Sequence, residues 1–148
     1  MSTLNELHTA IGAEAFTKTI TDSIPYFGTI DPLVTEVRNG FAVVFLKNQK
    51  KVHNHLGTVH AIAMCNAAEI VAGVVAENST PDGARWIPKE MTVKYLAKAK
   101  TDLRVTAEAE SVDFSQTGDI VIPIVAYDAD CKPVFTADIT MDVKHAVK

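Results

Sequence analysis

One carboxylate interrupts the most apolar stretch of this sequence: Glu69 stands within residues 61–76, with Asn66 one helical turn before it. At about 100° per residue, a helix here sets Ile62, Asn66, Glu69 and Gly73 on one face. An ionised glutamate in apolar surroundings costs several kcal/mol unless it is paired, and such burial raises a carboxyl pKa toward neutrality, where a general base works best. Pairing with a lysine such as Lys94, or a solvent gap at a subunit interface, would accommodate the same residue without chemistry.

The segment ahead of it, Asn54-His55-Leu56-Gly57-Thr58-Val59-His60-Ala61, places polar side chains and a glycine where the first backbone N–H groups of a buried helix have no intrahelical acceptor. Such a start attracts negative charge, including the oxyanion that develops when a thioester carbonyl is attacked. A rise of about 1.5 Å per residue puts Ala61 about 12 Å from Glu69 along the axis, too far to act on one carbonyl. A two-fold dimer brings one subunit's helix start toward the other's Glu69.

Other reactive side chains point less far. His53, His55 and His60 form H-x-H-x4-H, which with Glu69 or Cys65 has the makings of a zinc site, yet polar loop histidines more often cap a helix or bond backbone; no metal is expected. Cys65, beside a carboxylate in an apolar helix, is expected to be inert. Cys65 and Cys131 fall in no CxxC pair, which suits free thiols in a reducing, cytoplasmic setting. No G-x-G-x-x-G, P-loop or G-x-S-x-G occurs, which removes the dinucleotide, NTPase and α/β-hydrolase readings. Lys89, Lys94, Lys98 and Lys100 make a local basic excess suited either to a solvated strand face or to phosphates.

The elements that must hold these groups follow from periodicity. The chain has 148 residues, 47% of them hydrophobic and 22% charged, enough for one globular domain over 1–148 and unlike a disordered chain or a coiled coil. With 14 basic against 18 acidic residues, net charge −4, no nucleic-acid partner is expected. The apolar stretch is shorter than the roughly 20 residues that cross a bilayer, so a buried helix and no membrane partner are expected, and the N-terminus lacks a secretory pattern.

Leu4, Leu7, Ile11, Ala15 and Ile20 recur at helical spacing, and Thr3 with Glu6 reads as a capping box. Residues 33–38 and 41–47 read as strands joined by an Asn39-Gly40 hairpin, and residues 58–77 as a helix covered on most sides. Strands follow over 86–98, where Lys94 and Lys98 share one side and Met91, Val93 and Tyr95 the other, then from Leu103 to Ala109, over 120–127, and from Phe135 to Val143. Pro88 and Pro123 require an edge or a bulge.

Asn54, Gly57, His60, Ala61 and Glu69 match N-x-x-G-x-x-H-G-G followed by an acid nine residues after the histidine. This pattern resembles the hotdog-fold acyl-CoA thioesterases of the PaaI-like branch. With Arg85-Trp86-Ile87-Pro88, the chain is more similar still to an uncharacterised branch of that superfamily. The resemblance implies an α+β hotdog domain, a six-stranded antiparallel sheet around a long central helix, assembled as a homodimer or homotetramer.

It further implies a catalytic carboxylate at Glu69, an oxyanion donor at the Ala61 N–H, His60 supporting the loop or thioester, and Asn54 positioning water or acyl group. His55, Gly57, Asn66, Lys94 and Lys98 are expected to bind substrate, with coenzyme A present only as part of that substrate and no other cofactor. Phe27, Phe41, Phe45, Met91 and Tyr95 are the large side chains available to close an acyl pocket. The sequence departs from the family in Ala61-Ile62 for Gly-Gly and in Glu69 for Asp; an Ala keeps the N–H but crowds the thioester, which favours a non-catalytic acyl binder as one alternative. The other is a hotdog hydroxyacyl-thioester dehydratase, since His55 precedes Glu69 by the family spacing; the proline-rich stretch of those enzymes is absent.

Overall fold

The computed structural model describes residues 3–145. Thr3 caps the first helix, α1 (Leu4–Ile11), its Oγ1 accepting from the Glu6 N–H at 3.1 Å. Among the described residues Glu6 makes no return bond, so only half of the expected capping box forms. The single helix expected across Leu4 to Ile20 is in fact two. At Gly12, φ +85° ends α1, the Gly12 N–H closing onto the His8 carbonyl, and α2 (Ala13–Ser23) starts afresh. Both helices are pinned to the first strand: Thr17 Oγ1 accepts from the Val34 N–H at 2.9 Å, and His8 Nε2 lies 2.8 Å from the Val34 carbonyl.

After a 3₁₀ segment, Pro25–Ile30, come β1 (Leu33–Arg38) and β2 (Phe41–Leu46), joined at Asn39-Gly40 as expected. Gly40 has φ +72°, and a Cβ there would lie 2.8 Å from the Glu110 Cα, so both conformation and space demand glycine. The long helix, α3 (Ala61–Ser79), starts three residues later than the sequence pattern suggested because His60 caps it. Then follow β3 (Arg85–Tyr95), β4 (Leu103–Glu108), β5 (Gly118–Tyr127) and β6 (Pro133–Lys144).

All six strands form one antiparallel sheet in the order β1-β2-β4-β5-β6-β3, and α3 touches every one of them. Ala67, Ala68, Ala72 and Ala76 keep that helix slim, so Val44, Val105, Ile122 and Met141 of the sheet close over it. By length and composition α3 could cross a membrane, but 67% of the stretch is buried inside the fold.

β3 lies at the sheet edge, and Pro88 sits at a bulge between Pro88 and Glu90, as its missing donor requires. Pro123 corrects the same rule: it lies in an interior strand, one residue beyond the last β4–β5 pair, Ala107 with Ile124. Trp86, Pro88, Met91, Val93 and Tyr95 all stand opposite buried β6 residues and face α3, whereas Lys94 stands opposite Thr136. The strand ends at Tyr95, so Lys98 lies on the following loop and not beside Lys94.

Candidate active site

The loop before α3 is held by its own side chains. Asn54 Oδ1 accepts from the N–H groups of Leu56 (2.9 Å) and Thr58 (3.2 Å), Asn54 Nδ2 donates to Thr58 Oγ1 (2.9 Å), and Gly57 supplies the turn with φ +77°. Asn54 is therefore the fastener of the loop, with its polar atoms largely engaged within it. A two-residue bridge, His53 with Val59, and bonds from Val59 N–H to Ala99 and from His60 N–H to Val52 anchor the loop's far end.

His60 then spends its ring on the helix: Nδ1 accepts from the Ile62 N–H at 3.0 Å, while its carbonyl accepts from Met64 at 3.2 Å. Among the described residues the N–H groups of Ala61 and Ala63 have no partner. Two unpaired donors at the start of a buried helix are what a developing oxyanion requires.

The outer stripe of α3 (Ile62, Cys65, Glu69, Gly73, Glu77) faces the side of edge strand β3. At the helix start, open to solvent, a cleft of about 300 Å³ is lined by Asn54, Thr58, Ala61, Tyr95 and Lys98. Farther along, a cleft of about 180 Å³ is lined by Tyr26, Phe27, Ile62, Cys65, Asn66, Glu69 and Met91. On the other flank of the helix start, a cleft of about 410 Å³ joins Thr29, Lys51, His53, His60, Ala63 and Asn66. One turn past Glu69, the Trp86 indole lies on Gly73.

Glu69 is partly buried rather than enclosed, and among the described residues it forms no ion pair, with Lys94 or any other base. Asn66, only 9% exposed, reaches Tyr26 O (3.4 Å) and Thr29 Oγ1 (3.5 Å) through Nδ2. Thr29 gives its own hydroxyl proton to the Tyr26 carbonyl at 2.7 Å. Both neighbours are thus acceptors, the amide can face them only with its NH₂, and Oδ1 is left buried without a partner beside Glu69. Burial pushes the Cys65 thiol up, a contact with Tyr95 opposing it in part, so Cys65 stays protonated and is a poor nucleophile.

The structure thus gathers Asn66 with Glu69, and Asn54 with Ala61 and Lys98, while His55 and Lys94 are exposed and line neither cleft. The three loop histidines diverge, His53 bonding Asn48 at 2.5 Å and His60 capping α3, and among the described residues no three His, Cys, Asp or Glu groups converge as ligands. Of the aromatic candidates Phe27 joins Met91 beside Glu69 and Tyr95 lines the outer cleft, whereas Phe41 and Phe45 lie on β2 away from both. Tyr26 lines the Glu69 cleft with no local spacing signal, because it reaches α3 from the 3₁₀ segment.

A family model described as a domain of unknown function (DUF4442) matches residues 12–143. A crystal structure designated genomics APC5556 is 47% identical, over 97% of this chain and 97% of that one, with a TM-score of 0.88. The thioesterase HI1161 from Haemophilus influenzae is 10% identical, covering 100% of this chain and 94% of its own, at a TM-score of 0.76. The protein smu.793 from Streptococcus mutans UA159, solved bound to acetyl CoA, is 17% identical over 78% of this chain and 90% of its own, at 0.66. The chain matches no curated protein.

Proposed function

The chain belongs to the family described as a domain of unknown function, DUF4442, its fold is the hotdog fold, and from that premise we propose that it hydrolyses an acyl-CoA thioester. The observation that carries this is a carboxylate, Glu69, in an apolar cleft on the same helix whose first amides are unpaired. The acetyl CoA held by the Streptococcus mutans protein is in keeping with it.

In this reading Glu69 takes a proton from a water whose oxygen attacks the thioester carbonyl carbon. The carbonyl electrons collect on oxygen, where the Ala61 N–H of a second subunit donates to them. Collapse breaks the C–S bond; the thiolate of coenzyme A leaves and recovers the proton from Glu69, giving a free carboxylic acid and a thiol. In the other route to the same products Glu69 attacks the carbonyl carbon itself, the thiolate leaves, and water then cleaves the acyl–Glu69 anhydride, restoring Glu69 and giving the thiolate its proton. Asn66 Oδ1, lacking a partner, accepts from a donor held in the cleft, and Lys98 at the helix start faces the phosphates of coenzyme A. Asn54, Gly57 and His60 act by shaping the helix start. The likeness of these residues to the PaaI-like pattern favours that branch within the fold.

A shared site calls for at least a homodimer. β3 supports it: its free edge carries Ile87, Met91 and Tyr95, with Leu96 beyond and Ile62 of α3 nearby, all substantially exposed in one chain. We read residues 1–148 as one such domain. A dehydratase would depend instead on His55, which is exposed on the loop before α3.

Thiol release from a panel of acyl-CoAs tests the proposal. Glu69→Gln is expected to lower turnover by about 10²–10⁴. Undiminished turnover in the variant removes Glu69 from the mechanism; tight binding without thiol release in the wild type replaces the hydrolase with an acyl-CoA binder.

A further inference from the structure

Two side chains lining one cleft carry oxygens for which the described residues supply no proton. One is the Glu69 carboxylate, which forms no ion pair among the described residues. The other is Asn66 Oδ1, buried and without a partner. The Asn66 amide gains nothing by turning over. Its Nδ2 reaches the Tyr26 carbonyl at 3.4 Å and Thr29 Oγ1 at 3.5 Å, and the Thr29 hydroxyl proton is already given to Tyr26 at 2.7 Å, so a flipped amide would set oxygen against oxygen. A buried acceptor left unpaired is costly, and an occupant that donates to it removes the cost.

The spacing on α3 suits one such occupant. Asn66 and Glu69 share a face of the helix three residues apart, a rise of about 4.5 Å. Cα–Cβ bonds tilt toward a helix N-terminus, so the longer Glu69 side chain leans back over the turn that carries Asn66. One water donating to two oxygens at about 2.8 Å each spans about 4.5 Å between them. A hydroxyl on an acyl chain has one proton and serves one acceptor, whereas water has two and serves both.

We propose that Asn66 is a second catalytic residue: together with Glu69 it holds the attacking water by its two protons and so aims a lone pair of the water oxygen at the thioester carbonyl. As that oxygen bonds the carbonyl carbon, the O–H directed at Glu69 breaks and its proton passes to the carboxylate. The other O–H stays bonded to Asn66 Oδ1 and departs as the hydroxyl of the acid product. The inference rests on the acyl-thioester reading above and selects its water route over direct attack by Glu69.

Two variants separate the acceptor from the anchor. Asn66→Leu, of similar size, removes both Oδ1 and the NH₂ that holds the Tyr26 segment; Asn66→Asp removes the NH₂ and keeps an acceptor. Turnover per folded molecule is read by thiol release, and binding by calorimetry with S-hexyl-CoA, a thioether that is not hydrolysed. Asn66→Leu is expected to lower kcat by about 10²-fold while KM and thioether affinity stay within about threefold of the wild type. Asn66→Asp is expected to turn over at least about tenfold faster than the leucine variant. Mass spectrometry of acid-quenched wild type is expected to find no acyl group on Glu69. Asn66→Ala stands in if the leucine variant melts early. Undiminished kcat without the acceptor overturns the proposal, and so do equal losses in the leucine and aspartate variants, which would reduce Asn66 to an anchor. A loss of thioether affinity at unchanged kcat assigns Oδ1 to the acyl group and overturns it too, as does an acyl–Glu69 adduct. No thiol release by the wild type from any acyl-CoA sinks the hydrolase itself, and the held water with it.

Discussion

The two halves of α3 are made of similar residues and do different work. From Ala61 to Glu69 the outer stripe is open: Ile62 is 55% exposed, Cys65 and Glu69 are partly so, and unpaired amides stand at the start. From Ile70 to Ala76 every residue is buried, Gly73 beneath Trp86 included. One helix is thus a rigid post in its second half and an open face carrying a carboxylate in its first. A carboxylate mounted next to a tightly packed segment keeps its aim without needing packing of its own.

If that division holds, changes in the first half should alter turnover and spare stability. Glu69→Gln, with its loss of about 10²–10⁴ in turnover, is expected to melt with the wild type. Ala61→Pro is a sharper probe. Position 61 is the first residue of the helix, where proline is well tolerated, and His60 already has the extended backbone (φ −65°, ψ 139°) that a following proline requires. The substitution deletes one N–H and is expected to lower turnover by about 10²–10³ at unchanged melting temperature.

Mixing the two inactive variants tests whether the halves that cooperate belong to different subunits. Half of the re-formed dimers then pair Ala61→Pro with Glu69→Gln, each with one intact composite site, so about a quarter of wild-type turnover returns. No recovery after verified subunit exchange places both groups in one chain.

Changes in the second half should do the reverse. Ile70, 1% exposed, is expected to cost about 2–5 kcal/mol of stability as Ile70→Ala, read by denaturant unfolding, with turnover per folded molecule near the wild-type value. A comparable loss of turnover would mean that the post and the surface are not separable.

The smallest effect is at Cys65, on the open half. Because burial raises its pKa, alkylation of Cys65 should lag that of exposed Cys131 and require more alkaline solution than an ordinary thiol. A bound S-hexyl-CoA thioether should slow it further, since Cys65 lines the cleft with Glu69. Mass spectrometry of the labelled peptides reads both.

Much of this arrangement was legible from local pattern. Asn39-Gly40 specified its hairpin, the alternation around Leu103 and Phe135 specified strands, and the lone glutamate of the apolar helix does line a cleft. The misses have physical reasons. Apolar spacing runs straight across Gly12, so the periodicity could not reveal a positive φ that splits the helix. Asn54 reads as a group that positions water or acyl chain, and its bonds to Leu56 and Thr58 add a loop-fastening role that an asparagine shortly before a glycine and a threonine could itself have signalled. The orphaned Asn66 oxygen depends on Thr29 having given its proton to Tyr26, a circumstance set by a segment far away in sequence. Trp86 on Gly73 is likewise a meeting of two elements, and no spacing within either announces it.

The strand order carries a further implication for how the molecule is made. β3 is synthesised third among the strands, yet its one sheet neighbour is β6, synthesised last. Until residues 133–144 have left the ribosome, β3 has no ladder to join, and the greasy flank of α3 beside it has no roof. Native closure is therefore a late event of high contact order, and β6 works as the keystone laid after the arch is standing.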